Sequence, residues 1–192
     1  DADLDNLSVA DAAGTSIPLM GFLDETYTDG FLVLKNGGIS YERYFNGMDH
    51  RTLHLSQSMS KSFVGMTAGI LASRGLLDVN APVTAYLPEL EQTGWRGATL
   101  QQVLDMTTGT RFSEDYVNPY SDVGQMDVAC DWKPVPPDSD ASFRWPRHIW
   151  ELITGLTETE RGHGDLFAYR SIETDVLAFC LERVTGKRLP QL

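Results

Sequence analysis

Ser58 and Lys61, in the run Ser58-Met59-Ser60-Lys61, are the residues of this chain best placed for covalent chemistry. At positions i and i+3 on a helix start, a hydroxyl and an amine share one face and can approach each other. Lys61 is also the only formal charge between Thr52 and Ser73, on a helix whose two faces both read as buried. An ammonium in such a place is costly unless it is paired or gives up its proton. A neutral amine beside a serine hydroxyl activates an otherwise weak nucleophile, and the helix start adds N–H groups able to stabilise an oxyanion. Against this stands a purely structural reading, in which Ser58 caps the helix and Lys61 snorkels to solvent. Other chemistries fail on spacing. His50 and His54 lie four apart without a third ligand at metal spacing, and there is no Gly-x-Ser-x-Gly elbow, Walker loop or dinucleotide fingerprint. Cys130 and Cys180 are too few for a disulfide scaffold, and Cys180 reads as a buried free thiol in an apolar helix.

The elements that must position these residues follow from periodicity. Phe31 to Lys35 reads as a strand, Asn36-Gly37-Gly38 as a tight turn and Ile39 to Phe45 as the returning strand. From Ser58 the pattern turns helical, with Met59, Phe63, Met66 and Ile70 as an apolar stripe widened by Val64 and Leu71. The opposite face is small apart from Lys61, and Arg74-Gly75 supplies a stop. Such a helix is expected to be packed from both sides, as the central helix of the domain. Thr99 and Gln102 form a capping box for a short helix to about Met106. Residues 111–144, rich in Asp, Pro, Ser and Gly, read as a long, mostly irregular stretch. Pro146 suits the first turn of a helix through Ile149, Trp150, Ile153 and Leu156. A last helix is expected from about Glu173 to Thr185, with Val176, Leu177, Cys180, Leu181 and Val184 inward and Gly186 as its stop. Strands first and helices after make an α+β chain. Residues 1–30, acidic and weakly patterned, read as a covering segment ahead of the main body, 31–192.

Composition bounds the partners. The chain has 192 residues with 27 acidic against 15 basic side chains, a formal net charge of −12. That argues against nucleic acid and against an anionic membrane surface. The hydrophobic fraction of 42% supports a real core. No apolar run is long and uncharged enough to read as a membrane span. The chain opens at Asp1 with no basic-then-apolar leader, so a cytoplasmic protein is expected.

The motifs in order, Ser58-Met59-Ser60-Lys61-Ser62-Phe63, Leu76-Leu77-Asp78-Val79-Asn80-Ala81-Pro82-Val83, Tyr86-Leu87-Pro88-Glu89-Leu90 and Val103-Leu104-Asp105-Met106-Thr107-Thr108-Gly109, resemble the penicillin-recognising serine hydrolases. That superfamily holds the class C β-lactamases, related esterases and DD-peptidases. The wording at Phe112-Ser113-Glu114-Asp115-Tyr116 and Ser121-Asp122 is similar to its nylon-oligomer hydrolases. The resemblance implies a β-lactamase-like fold, an antiparallel sheet packed with helices plus a helical region. It implies cleavage of an amide in a short linear oligoamide through an acyl-serine intermediate, with no metal or cofactor. Ser58 would be the nucleophile and Lys61 its base. Tyr169, in Tyr169-Arg170-Ser171, would pass the proton to the leaving amine. Tyr116 would close over the substrate and Asp127 would hold its amino end. Ser171 stands where the family has Asn, and would contact substrate. A carboxylesterase, a β-lactamase or DD-peptidase, and a non-catalytic sensor of the same fold are the rival readings. The family's third motif, Lys or His followed by Thr or Ser and Gly, is not found after Tyr169, where Lys187 precedes Arg188. The chain is therefore expected to be the N-terminal portion of the full fold. Besides the small-molecule amide or ester substrate, the partners admitted are a second copy of the chain and a complementing C-terminal segment.

Overall fold

The computed structural model describes residues 4–192; the first three residues of the expected covering segment lie outside the described residues. The chain divides into two compact units, Asp1–Leu55 and Ser56–Leu192.

In the first unit, β1 (Ser8–Ala10) pairs antiparallel with β2 (Ser16–Pro18). Asp11 holds the turn between them, its Oδ1 accepting from the Ala13 and Thr15 amides at 2.9 and 2.7 Å. Helix α1 (Leu19–Glu25) buries Leu19 and Leu23, one turn apart. The expected hairpin is present as β3 (Gly30–Lys35) and β4 (Gly38–Tyr44), with a register irregularity between Val33 and Leu34. Asn36 and Gly37 both take positive φ, 51° and 79°, which is what a two-residue hairpin turn needs for its twist to match the strands. Among the described residues each sheet has two strands.

The second unit is helical. A one-turn 3₁₀ segment (Gln57–Met59) leads into α2 (Ser60–Ser73). Then come α3 (Val83–Tyr86), α4 (Leu100–Leu104), α5 (Asp122–Ala129), α6 (Ile149–Gly155) and α7 (Ser171–Thr185). The central element is α7, which touches α2, α3, α4, α5 and α6. Its Ile172, Val176, Leu177, Cys180 and Leu181 are buried, against a core that includes Leu87, Leu90, Trp95, Leu100 and Ile153. Burial pushes the Cys180 thiol up to about 12, so it is an inert core side chain, as its apolar setting predicts. Gly186, at φ 65°, ends α7 in the left-handed cap expected of it.

Three expectations need correction. Helix α2 is packed along one seam only, Val64, Ala68 and Leu71, while Met59, Phe63, Met66 and Ile70 are exposed at 65, 61, 63 and 46%. Periodicity marks apolar seams but does not say which seam a neighbour occupies. Here α7 takes the one where Ala68, with no bulk, allows close approach. The stretch 111–144 is mostly irregular, as expected, and within it lies α5, whose N-cap Ser121 accepts from the Gly124 amide at 3.1 Å. Pro146 stands outside α6, whose cap is His148, its Nδ1 accepting from the Glu151 amide at 3.1 Å. Helix α7 begins at Ser171, ahead of Glu173. The capping box at Thr99 forms as expected, Gln102 N to Thr99 Oγ1 at 3.2 Å and Thr99 N to Gln102 Oε1 at 2.9 Å. Among the described residues no helix is long and apolar enough to cross a membrane.

Candidate active site

Ser58 lies in the 3₁₀ turn that opens α2, next to Gln57, whose φ of 47° is left-handed. A non-glycine residue held there stores strain of a kind that clusters at functional turns. Lys61, one turn into α2, donates from Nζ to Ser58 Oγ at 3.1 Å. The cap of α2 has no side-chain hydrogen bond, so Ser58 is not a capping serine, and Lys61 turns back to it instead of running out to solvent. The pair is thus in hydrogen-bond contact, without the serine cap or the outward lysine that the structural reading expects.

Tyr169 completes the cluster from the far end of the unit. Its Oη donates to Ser58 Oγ at 2.7 Å, and Lys61 Nζ sits 5.6 Å from the centre of its ring, within cation–π range. Burial would push the Tyr169 phenol up, yet hydrogen bonding to Ser58 and the closeness of Lys61 outweigh it, and the group lies below the ordinary tyrosine value. One serine oxygen thus accepts from a lysine nitrogen and from a phenol, two titratable groups that act as proton acceptors only in their deprotonated forms.

The segment Met106-Thr107-Thr108-Gly109-Thr110 holds Tyr169 in place. It runs beside residues 159–168. The Ala168 amide reaches Met106 O at 2.9 Å, Gly164 N reaches Thr107 O at 2.7 Å and Glu160 N reaches Gly109 O at 2.8 Å. Gly109 is required by contact, because a Cβ there would stand 1.9 Å from Arg161 O. Next to Tyr169, the buried Arg170 donates to Thr108 O at 3.0 Å and to Glu160 Oε1 at 2.6 Å. Glu173, fully buried, accepts from Trp95 Nε1 at 3.0 Å and from Thr108 Oγ1. The Thr-Thr-Gly segment therefore acts as a frame for the first turn of α7.

Ser171 and Tyr116 meet through Glu114. The Ser171 amide donates to Glu114 Oε1 and the Ser171 hydroxyl lies 3.4 Å from Oε2. The Tyr116 hydroxyl is hydrogen-bonded to Glu114, which with burial holds that phenol above its usual value. Glu114 is a residue that the spacing argument missed. A carboxylate two before Tyr116 carries no local signal, since its partner Ser171 is 57 positions away.

Asp127 is not hydrogen-bonded to this group. It lies on the last turn of α5, and its Oδ2 pairs with Lys133 Nζ at 2.7 Å. The Cys130 thiol, three residues on, is raised chiefly by partial burial and also by the Asp127 and Asp175 charges. Asp175 on α7, raised to about 6 by burial, is pulled back by Lys61. The structure thus brings Ser58, Lys61 and Tyr169 into direct contact, joins Tyr116 and Ser171 beside them, and leaves Asp127 in an ion pair of its own.

Helices and small antiparallel sheets carrying this serine site define a β-lactamase-like protein, and the chain belongs to the Beta-lactamase family, whose profile matches residues 23–192. It is 40% identical over 179 residues to the 6-aminohexanoate-dimer hydrolase of Paenarthrobacter ureafaciens, which covers 93% of this chain and 44% of that protein. A 59-residue stretch is 37% identical to a beta-lactamase of Escherichia coli strain K12, covering 31% of this chain and 16% of that one. Among solved structures, a Bacillus anthracis protein assigned as a 6-aminohexanoate-dimer hydrolase superposes with a TM-score of 0.83 at 30% identity, over 97% of this chain and 47% of its own. A class C beta lactamase shares the fold, with a TM-score of 0.62 at 18% identity over 88% of this chain and 43% of that one. The chain spans less than half the length of the curated relatives it matches.

Proposed function

We propose that this chain carries the acylation site of a serine hydrolase that cleaves amide bonds in short linear oligoamides of the 6-aminohexanoate-dimer type. The main support is the pair of contacts at Ser58 Oγ, to Lys61 Nζ at 3.1 Å and to Tyr169 Oη at 2.7 Å. The substrate class is supported by the 40% identity to a 6-aminohexanoate-dimer hydrolase. In this reading Ser58 Oγ attacks the amide carbonyl carbon while its proton passes to Lys61 Nζ in the amine form. The tetrahedral oxyanion collapses with loss of the C–N bond, and Tyr169 Oη gives its proton to the departing nitrogen. Lys61 then returns a proton to Tyr169. Water gives a proton to the same pair and attacks the acyl-serine ester; the acyl–Oγ bond breaks, the pair returns that proton to Ser58 Oγ, and the acid is freed. Tyr116 closes over the substrate, Ser171 contacts it, and Asp127 holds its ammonium end.

Acylation needs only the nucleophile and its base, so it is the step to read first. A serine-directed phosphonate should add one equivalent to the 192-residue chain by intact mass, on Ser58, and labelling that persists in Ser58→Ala would sink the assignment. Lys61→Arg keeps the charge but supplies no base, since guanidinium stays protonated. It should slow labelling by about 10³-fold; labelling at the native rate would remove Lys61 from the proton path.

A further inference from the structure

The ion pair at the end of α5 is built into the backbone. Asp127 is 20% exposed and Lys133 53%. The Trp132 and Lys133 amides both donate to Asp127 O, at 2.9 and 3.1 Å. Asp131 turns the chain with φ 58°, and Pro134 follows Lys133, restricting the backbone of the residue before it. The turn thus fixes the lysine's backbone where its side chain reaches back to the carboxylate. An alkylammonium on a four-carbon stem, 2.7 Å from Asp127 Oδ2, is chemically what the ammonium end of a linear aminoacyl substrate would present there.

We propose that Lys133 is a resident competitor for Asp127, an internal ammonium that ligand must displace, and so a specificity-determining residue for ammonium-ended substrates. The proposal rests on the reading of Asp127 as the group that holds that end. Because the pair is largely solvent-exposed on the lysine side, it is weak enough to open. Its presence lowers affinity for an ammonium while leaving a neutral chain of the same length unaffected. It also offsets the Asp127 charge when the site is empty, so that an anionic ligand end is repelled less there.

The test uses hexylammonium and its neutral counterpart 1-hexanol as probes, with binding to the full chain followed by NMR titration. Lys133→Met keeps the stem and removes the charge; it should bind hexylammonium about fivefold more tightly, with hexanol unchanged. In the Lys133→Met background, Asp127→Asn should erase the preference for ammonium over alcohol. In the native background the same change should do much less, because Lys133 already occupies the carboxylate. If Lys133→Met leaves hexylammonium affinity unchanged or weaker while Asp127→Asn in that background erases the preference, Asp127 holds the ammonium and the competitor role is wrong. If the preference survives Asp127→Asn in the Lys133→Met background, the reading of Asp127 fails and the proposal falls with it. Absence of measurable hexylammonium binding in every variant overturns both.

Discussion

Glu173 shows at the scale of one residue how the site is held and how pH should act on it. It is fully buried, hydrogen-bonded to Trp95 and Thr108, and burial raises it from the ordinary carboxyl value to about 7 although those donors and Arg170 pull it down. Asp175 is raised by burial to about 6. In the unfolded chain both lose their protons near pH 4; in the folded chain they keep them longer. Between those values the folded state binds more protons than the unfolded one, so stability is greatest at the acid end of the window and falls as pH rises to about 7. Thermal unfolding followed by circular dichroism from pH 5 to 7.5 should show a falling Tm. Glu173→Gln should flatten that fall by about 5 °C, and an unaltered slope would mean that Glu173 folds already ionised. The legibility of the site follows sequence distance in the same way. Ser58 and Lys61 are three apart, and their pairing is written in the helical period. Tyr169 is 111 positions from Ser58, and only the resemblance pointed to it. Glu114 was not legible at all, because its role depends on Ser171 arriving from another element.

At the scale of the element, α2 separates hydrophobic pattern from hydrophobic burial. Its buried seam is Val64, Ala68 and Leu71, while its bulkier side chains are exposed. Leu71→Ala should therefore destabilise the chain by about 2–5 kcal/mol, whereas Met66→Lys should change it by about 0.5 kcal/mol or less; urea titrations of the two variants separate them. Equal losses would show that the outer face is packed in solution. The hairpin β3–β4 was readable because Asn-Gly demands a specific turn. Helix α5 was harder: with Gly124 inside it and a weak apolar pattern, its only sequence sign was Ser121-Asp122, a cap followed by an acidic first turn. Composition hid an element that its cap reveals.

For the whole molecule, the two units differ in what they bury. The second has a continuous core around α7. In the first, the buried hydrophobic side chains among the described residues are Leu19 and Leu23, beside two sheets of two strands. Isolated two-stranded ribbons are marginal in water. A chain of residues 56–192 should accordingly unfold in one cooperative denaturant transition, and a peptide of residues 1–55 should exchange its amides at rates near those of an open coil. Strong amide protection in the isolated 1–55 peptide would show that its ribbons need no further support.

The contact between Tyr169 and Ser58 also sets an order of events in time. Ser58 and Lys61 come together as soon as the first turn of α2 winds, on the scale of local helix formation. Tyr169 reaches them only after 111 residues of chain have been closed into a loop, and that closure must be paid in entropy before any contact rewards it. Its docking also waits for the Met106–Thr110 segment to pair with residues 159–168 and for Arg170 and Glu173 to find Thr108 and Trp95. During folding, then, the serine and its amine exist as a pair well before the phenol arrives. In the proposed mechanism the acylating pair is thus assembled before the phenol that serves the leaving nitrogen, so complete turnover waits on a long-range contact that acyl attack itself does not need.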